Sequence, residues 1–300
     1  MKEILIIGGQ GFIGKHLAYF YRSQGHEVVT TTKYHKSFDS HCIQSDYSKD
    51  SFLNIFEEKD YEKIFFLSGN PYPGLSIDNC NIDINQTFIP LVNSVEALKS
   101  ISFRGDFWFA SSVAVYGATE LDLQRESDIC NPLSNYAVVK LAGENYLKMV
   151  SMTSELNLGS FRIFSTFGEN LKRQIIFDIF KKIKDDPYSI SLFGSGEEVR
   201  DLSYVGDQVK RIKIISDHIK PKGDVYNLGS GESTKIKSVA EEVVKIMGHD
   251  TKINYTSESR VFDGNSWVAC MDKLQKLAPN PKSSLSDSLL TTINSLEDSK

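Results

Sequence analysis

The first half of the chain alternates short apolar or β-branched runs with stretches of helical periodicity. The runs occupy residues 4–7, 28–32, 63–67 and 107–110, and the helix-like stretches lie at about residues 12–24, 49–59, 80–100 and 134–154. Because these runs do not alternate apolar with polar positions, they predict strands buried on both faces, in a parallel sheet covered by helices. Pro90 lies inside the third helical stretch and should kink or split it.

The pattern changes after about residue 165, where turn-forming residues become dense. Two clear helices are predicted there, at about residues 205–218 and 236–247. Near the end, apolar residues recur at helical spacing and predict a last helix that packs on the body, at Leu285, Leu289, Ile293 and Leu296. The second half is therefore expected to form a smaller domain folded against the first.

The composition is that of an ordinary globular protein. Of the 300 residues, 40% are hydrophobic and 24% charged, and the net charge of −5 argues against binding to nucleic acid or to a membrane surface. The four cysteines lie far apart without a CxxC pair, which indicates reduced thiols and neither a disulfide framework nor a metal site. With no signal peptide or membrane span, the expected location is the cytoplasm.

A glycine-rich turn follows the first apolar run directly. Gly8, Gly11 and Gly14 have GxxGxxG spacing and open a helix whose first residues are Phe12 and Ile13. Glycine allows a tight turn, a close approach of the backbone to a pyrophosphate and close packing of the helix on the strand. The motif predicts a dinucleotide-binding loop; the alternative is an ordinary tight turn between a strand and a helix.

The end of the second strand bears on the choice of dinucleotide. NAD-binding loops usually place a carboxylate there to hold the ribose 2′-hydroxyl. This chain has Thr32 and Lys33 instead, which would offer a hydroxyl and a positive charge to a 2′-phosphate. The position therefore favours NADP(H) over NAD(H), although a solvated strand end with a surface lysine would give the same pattern.

A serine, a tyrosine and a lysine form the candidate catalytic set. Ser112 follows the fourth apolar run, and Tyr136 and Lys140 have the YxxxK spacing that places two side chains on one helix face. An ammonium group beside a phenol lowers the pKa of the tyrosine, which can then transfer a proton near neutral pH. Ser112 could hold the same substrate oxygen. The alternative is a surface pair on a helix.

Six segments together resemble the extended short-chain dehydrogenase/reductase family, the NAD(P)-dependent epimerases and dehydratases that act on nucleotide sugars. The matching segments follow the family's order: residues 8–14, 109–117, 132–140, 161–168, 199–205 and 225–231. The resemblance implies an α/β fold: a Rossmann-type, doubly wound parallel sheet in residues 1–165 and a smaller C-terminal α/β domain in residues 166–300 that binds a nucleoside-diphosphate sugar. The two domains interleave, and the family implies a homodimer.

The resemblance also implies roles for single residues. Tyr136 would be the catalytic acid and base, Lys140 its partner on the nicotinamide ribose, and Ser112 the contact to the reacting sugar oxygen. The implied cofactor contacts outside the glycine loop are Thr32, Lys33, Asp46 at the adenine edge, Tyr47, Leu67, Ser68, Tyr136 and Lys140. Arg200 would bind the diphosphate of the substrate, with Arg260 as a second candidate.

The chain departs from the family just after Ser112. Dehydratases and uronate decarboxylases of the family carry an acidic residue there, and enzymes that epimerise C3 and C5 carry a cysteine. Val113 and Ala114 stand in this segment, and neither side chain can move a proton. The chemistry that remains is reversible hydride transfer at one carbinol or ketone. A second departure is Asp83, where asparagine is frequent.

The sequence thus predicts an NADPH-dependent reductase of a nucleoside-diphosphate 4-keto sugar, which would make a deoxysugar for surface polysaccharide. The alternative is an NAD-dependent nucleotide-sugar 4-epimerase, which uses the same three residues but oxidises, turns and re-reduces the sugar on a tightly held cofactor. A non-catalytic NADP(H) sensor on the same fold is a third hypothesis, which the presence of Tyr136 and Lys140 disfavours.

Overall fold

The computed structural model describes residues 3–33, 39–119, 121–256 and 266–298. The chain divides into two compact units. The first unit contains Met1–Tyr116, Ile129–Ile163 and Ile212–Tyr226, and the second contains Gly117–Asp128, Phe164–Arg211 and Asn227–Lys300. Each unit is therefore assembled from segments that are separated in the sequence.

A seven-stranded sheet forms the centre of the first unit. Its strands are β1 (Glu3–Ile7), β2 (Glu27–Thr32), β3 (Cys42–Gln44), β4 (Tyr61–Phe66), β5 (Asp106–Ser112), β6 (Asn157–Ile163) and β11 (Lys222–Leu228). They lie in the order β11-β6-β5-β4-β1-β2-β3, and β1 pairs in parallel with both β2 and β4. The chain thus winds outward in both directions from β1, which confirms the predicted doubly wound α/β fold and its parallel sheet.

Helices connect these strands. They are α1 (Phe12–Ser23), α2 (Lys49–Glu58), α3 (Asn81–Asp83), α4 (Ile89–Ser100), α5 (Asn135–Thr153) and α7 (Val205–His218). A π-helical turn, Ile84–Phe88, separates α3 from α4, and Pro90 lies in the first turn of α4. The residues on both sides of the π-helical turn keep helical backbone angles, so residues 81–100 form a continuous helical segment. Proline has no amide hydrogen and cannot complete regular helical hydrogen bonding. The interruption expected at Pro90 is thus a change to π-helical hydrogen bonding just before it.

The middle of the sheet is packed by aromatic side chains on β5. Trp108 stacks on Phe161 of β6, with ring centroids 4.5 Å apart and planes 4° from parallel. Phe107 and Phe109 on the opposite face are fully buried and lie against Phe66 of β4. Strand β5 is consequently held by buried rings on both faces, which fixes the position of its last residues.

The second unit has three small sheets. Strand β7 (Ser165–Phe167) pairs with β10 (Leu202–Tyr204), β8 (Ser189–Leu192) pairs with β13 (Lys252–Tyr255), and β9 (Val199–Arg200) lies between β12 (Thr234–Lys235) and β14 (Ser266–Trp267). Helix α7 begins in this unit and ends in the first. The remaining helices of the second unit are α6 (Gln174–Asp185), α8 (Ile236–Ile246), α9 (Asp272–Gln275) and α10 (Leu285–Asp298). Apolar side chains of α6, α8 and α10 form one core.

Helix α6 is absent from the helices predicted for the second half of the chain. Its buried residues, Ile176, Ile179, Phe180 and Ile183, follow the spacing i, i+3, i+4, i+7 of an amphipathic helix. The periodic signal was therefore present in the sequence. Helices α7, α8 and α10 agree with the predicted segments to within a residue or two.

Three negative findings hold for the part of the chain that the structure describes. No helix there is long and apolar enough to cross a membrane. No group of His, Cys, Asp or Glu residues there could hold a metal ion. Cys42, Cys80, Cys130 and Cys270 all lie within the described ranges, and none forms a disulfide.

The core of the second unit should depend strongly on Ile179, which is fully buried. Replacing a buried isoleucine by alanine removes apolar contacts and leaves a cavity, so Ile179→Ala should lower the free energy of unfolding by about 2–4 kcal/mol. Lys181→Ala, on the exposed side of the same helix, should change it by less than about 0.5 kcal/mol. Urea denaturation measures both; equal values for the two variants would contradict this core assignment.

Candidate active site

The carboxyl ends of five neighbouring parallel strands bring most of the predicted site residues to one edge of the sheet. Gly8 follows β1, Thr32 ends β2, Asp46 and Tyr47 follow β3, Leu67 and Ser68 follow β4, and Ser112 ends β5. The strand order reverses between β1 and β4, so the edge contains a topological switch point, where open α/β sheets bind their ligands. The first unit alone therefore contains the residues predicted for the cofactor and for catalysis.

The glycine loop packs so closely on neighbouring backbone that side chains do not fit at Gly8 or Gly14. Gly8 has φ +81°, and a Cβ atom on it would lie 2.8 Å from the Ser68 amide nitrogen. A Cβ atom on Gly14 would lie 2.6 Å from the Gly8 carbonyl oxygen, so α1 packs directly on the turn. Gly11 is the N-cap of α1 and provides no side-chain cap.

These features fit the pyrophosphate of a dinucleotide. The first amides of α1, from Phe12 and Ile13 onward, have no carbonyl partner inside the helix, and the helix dipole favours a negative charge at this end. Gly8, Gly11 and Gly14 keep side chains away from that end. An NAD(P) molecule would therefore be held by main-chain amides of this loop.

The residues predicted for the adenosine end are placed less simply. Thr32 and Lys33 are partly exposed at the end of β2. Asp46 is exposed, but its Oδ1 atom already accepts hydrogen bonds from the Ser48 amide at 2.9 Å and the Ser48 hydroxyl at 2.7 Å, which lower the pKa of Asp46. An adenine contact from this carboxylate would therefore use the other oxygen or displace one of these bonds.

The side chain of Tyr47 points into the core. It is 2% exposed, stacks on Phe52, and its hydroxyl lies 3.0 Å from Thr31 Oγ1. Its backbone has φ +64°, a conformation that is uncommon for a residue with a side chain. A contact from Tyr47 to a cofactor would come from its main chain, and its side chain has a packing role.

The three candidate catalytic residues lie on two adjacent elements. Ser112 ends β5, and its hydroxyl accepts a hydrogen bond from the Ala114 amide at 3.2 Å. Tyr136 is partly exposed in the first turn of α5, and Lys140 lies one turn further on and is buried. The Lys140 ammonium donates a hydrogen bond to the Ala110 carbonyl at 2.6 Å and lies 5.6 Å from the centroid of the Tyr136 ring.

Burial changes the acid–base behaviour of Lys140. Removal from water lowers the pKa of Lys140 to about 8, against the opposing fields of the Asp83 and Glu144 carboxylates. Both the charged and the neutral form of Lys140 should therefore be populated at a pH slightly above neutral. A charged Lys140 next to the ring of Tyr136 would favour the phenolate, which is the form of tyrosine that accepts a proton.

A second set of buried charges supports these residues. The Ser111 hydroxyl donates to Glu144, and Arg162 of β6 donates to both oxygens of Glu144, from Nε at 3.1 Å and from Nη2 at 2.7 Å. The Arg162 guanidinium also lies 4.7 Å from the centroid of the Tyr116 ring. This network joins β5, β6 and α5. Sequence analysis missed it, although Glu144 follows Lys140 at helical spacing.

A further buried cluster lies on the other side of Lys140. The Asn70 side chain donates to Asp83 Oδ1 at 2.9 Å, and the Asn70 amide donates to Thr87 Oγ1 at 3.3 Å. A Cβ atom on Gly69 would lie 2.8 Å from Thr87 Oγ1 and 3.5 Å from Lys140 Nζ. No local pattern reveals this cluster, because Asn70 and Asp83 are 13 residues apart and both are far from Lys140 in the sequence.

The two arginines predicted for the diphosphate belong to other parts of the chain. Arg200 lies on β9 of the second unit, where it donates to its neighbour's carbonyl at 2.8 Å and packs 5.2 Å from the centroid of the Trp267 ring. The next residue, Asp201, is buried and accepts hydrogen bonds from the amides of Ser230, Gly231 and Ala269, which fixes this strand. Arg260 lies outside the described residues.

The two residues after Ser112 carry no group that could move a second proton. Val113 is 5% exposed and opens a short 3₁₀ turn, Val113–Tyr116, in which Ala114 is the next residue. Both side chains are hydrocarbon. Tyr116, at the end of the turn, is buried and its ring packs against the Arg162 guanidinium. Val113 and Ala114 therefore add no acid or base to Tyr136 and Lys140.

The glycine loop should not tolerate a methyl group at Gly14. The atoms that a Cβ would meet are backbone atoms, which cannot move aside cheaply, so Gly14→Ala should destabilise the protein by about 1–3 kcal/mol and weaken NAD(H) binding. Gly74→Ala is the matched control, because a Cβ there meets no atom within 4 Å. Denaturation and calorimetric titration measure the two effects; an unchanged Gly14→Ala protein would contradict the loop geometry.

Known proteins resemble the chain over most of its length. An uncharacterized UDP-glucose epimerase of Bacillus subtilis is 26% identical over 199 residues, which cover 66% of this chain and 62% of that relative. A dTDP-4-dehydro-6-deoxyglucose reductase of Escherichia coli is 24% identical, with 80% of each chain covered.

The structure also superposes on that of a Thermus thermophilus UDP-glucose 4-epimerase in complex with NAD. The TM-score is 0.88, the identity 21%, and the match covers 99% of this chain and 100% of the other. At that identity the likeness is evidence for the fold. The description of the matching family model is "NAD dependent epimerase/dehydratase family", and the match extends over residues 4–229. The glycine loop, the YxxxK pair and the doubly wound sheet all lie within it, and the chain is a member of the NAD-dependent epimerase/dehydratase family.

Proposed function

We propose that this protein is an NAD-dependent 4-epimerase of a UDP-linked sugar. The observation that carries the proposal is the candidate set of Ser112, Tyr136 and Lys140, with two hydrocarbon side chains, Val113 and Ala114, directly after Ser112 in place of a second acid or base. Such a site is suited to oxidation and reduction at a single carbon. The Bacillus subtilis relative and the Thermus thermophilus neighbour are both named as UDP-glucose epimerases, which supports the epimerase over the reductase that the sequence alone favours.

The proton steps follow from the geometry of the set. When bound, NAD supplies the hydride acceptor for C4 of the sugar and returns the hydride afterwards. Tyr136, as phenolate, takes the proton of the C4 hydroxyl while that carbon is oxidised, and gives the proton back when the ketone is reduced on its other face. Ser112 holds the same oxygen by a hydrogen bond.

Lys140 has two tasks in this scheme. Its charge stabilises the phenolate of Tyr136, and its remaining N–H groups can meet the hydroxyls of the nicotinamide ribose. The Ala110 carbonyl fixes the ammonium for both tasks. The proton on C5 of the sugar stays in place, because Val113 and Ala114 supply no base. We therefore expect epimerisation without dehydration.

Reduction of a 4-keto sugar by NADPH is the second candidate. It is favoured by Thr32 and Lys33 at the end of β2, where no carboxylate opposes a 2′-phosphate. It is also the activity named for the Escherichia coli relative. The substrate contacts of Arg200 and Arg260 and the homodimer remain predictions of the family resemblance, and the cytoplasmic location remains a prediction from the sequence features.

Epimerisation can be tested without any added reductant. The protein is incubated with UDP-glucose and with UDP-glucuronate, and C4 epimers are expected by chromatography, with no deuterium from heavy water at C5. Tyr136→Phe keeps the ring but removes the transferable proton, so turnover should fall by about 10²–10⁴-fold. Tyr188→Phe, at an exposed tyrosine of the second unit, should be fully active.

One result would decide against the epimerase: oxidation of NADPH by a nucleotide-linked 4-keto sugar without any C4 epimer from the two UDP-sugars, which would support the reductase. Normal epimerase turnover by Tyr136→Phe would instead contradict the role of Tyr136 in the reaction.

Lys33 should affect the two dinucleotides differently. If its charge meets a 2′-phosphate, Lys33→Ala should weaken NADPH binding by up to about fivefold, since an exposed charge pair contributes about 1 kcal/mol or less. NADH binding should stay within twofold and serves as the internal control. Calorimetric titration gives both constants; equal losses for NADH and NADPH would show that Lys33 does not contact the 2′ position.

A further inference from the structure

Asp83 is an acidic residue with an incomplete set of partners in the interior of the first unit. It ends α3 and is 0% exposed. Its Oδ1 atom accepts a hydrogen bond from the Asn70 side chain at 2.9 Å, whereas Oδ2 is buried and has no hydrogen-bond donor among the described residues. A buried carboxylate oxygen without a donor is unfavourable unless an opposite charge is near.

Lys140 is the cation beside this carboxylate. Helix α3 packs against α5, and the field of Asp83 acts on Lys140 more strongly than that of any other charged group. The two side chains also share neighbours, because Asn70 binds both Asp83 and Thr87, and the Thr87 hydroxyl and Lys140 Nζ border the same space beside Gly69.

The other carboxylate near Lys140 is already neutralised. Glu144 is held by two nitrogens of Arg162 and by the Ser111 hydroxyl, so its negative charge is shared with a buried guanidinium. The one hydrogen-bond donor that reaches Asp83 within the described ranges is the neutral amide of Asn70. Asp83 is therefore the carboxylate near Lys140 whose negative charge is not neutralised by an arginine.

We propose that Asp83 is a positioning residue of the active site, whose buried carboxylate is the counter-charge that keeps the Lys140 ammonium charged beside Tyr136. Its effect on turnover rests on the proposed function. The coupling between the two charges needs no substrate and can be tested separately.

The sign of the effect follows from the charges around Lys140. The titratable groups that face it are Asp83 from α3, and Tyr136 and Glu144 from its own helix, with Arg162 of β6 compensating Glu144. Burial favours the neutral amine and Asp83 favours the ammonium. Removing the charge of Asp83 should therefore lower the pKa of Lys140 below about 8, so that the amine becomes neutral at a pH where the native site is charged.

The direct test is NMR titration of the chain labelled with ¹³C at the lysine Cε, without cofactor or substrate. The Lys140 signal is assigned with Lys140→Arg. In Asp83→Asn, which keeps the shape of the side chain, the midpoint should move to lower pH by about one unit or more. Asp83→Ala provides a second neutral variant and should move it in the same direction.

Asp106→Asn is the matched control. Asp106 is also a buried carboxylate bound by an asparagine, with Asn157 Nδ2 at 3.0 Å, but it begins β5, at the opposite end of the strand from Ser112. This variant should leave the Lys140 midpoint unchanged. A Lys140 midpoint that is the same in Asp83→Asn, Asp83→Ala and the native protein would overturn the proposal.

The kinetic arm separates this inference from the proposed function. The alkaline limb of the native pH–rate profile should move to lower pH in Asp83→Asn by the same amount as the NMR midpoint, which a purely structural defect would not cause. If the midpoint moves but the native protein epimerises no UDP-sugar, the charge coupling stands and the proposed function fails. If the rate profile is unmoved while the midpoint shifts, Asp83 has no part in turnover.

Discussion

The hydrogen bond from Lys140 to the Ala110 carbonyl is the contact on which the arrangement of the candidate active site depends. It ties the first turns of α5 to the last residues of β5 and so sets Tyr136 and Ser112 relative to each other. The helix reaches the strand because Gly143 has no side chain; a Cβ there would lie 2.8 Å from the Phe109 ring. Phe109 in turn is fixed by the aromatic core of the sheet. The catalytic geometry is thus a product of packing in the middle of the first unit.

The same packing creates an electrostatic problem. Burial disfavours the charged form of Lys140, and the charged form is the one that would stabilise the phenolate of Tyr136. Two carboxylates near Lys140, those of Glu144 and Asp83, favour its charged form. Arg162 neutralises Glu144, whereas Asp83 is bound by the neutral side chain of Asn70. The charge state of Lys140 near neutral pH depends on the balance between desolvation and these two fields, and each can be changed without replacing Ser112, Tyr136 or Lys140.

The sequence was most informative where function depends on short spacing. Fixed intervals separate the residues that a single turn or helix must present together, and such intervals can be read directly from the sequence. The examples here are Gly8, Gly11 and Gly14, and the pair Tyr136 and Lys140. The parallel sheet was predictable for a different reason, because strands buried on both faces are continuous apolar runs, and its doubly wound order came from the family resemblance. Asn70 and Asp83 could not be recognised in this way, since only the fold of a loop and the end of α3 bring them to Lys140. The orientation of Tyr47 was also hidden, because burial of its ring depends on Thr31 and Phe52.

The π-helical turn Ile84–Phe88 has a consequence for how this segment can change. It holds one residue more than an α-helical turn, and Asp83 lies just before it while α4 continues after it. The extra residue is taken up by one widened turn, so the residues on either side keep the faces that they would have in an α-helix one residue shorter. Asp83 therefore stays on the side of α3 that meets α5 although the chain is one residue longer than regular helix geometry needs. A deletion of one residue within Ile84–Phe88 would restore regular helical hydrogen bonding and keep this face, whereas a deletion within α4 would turn Asp83 away from it.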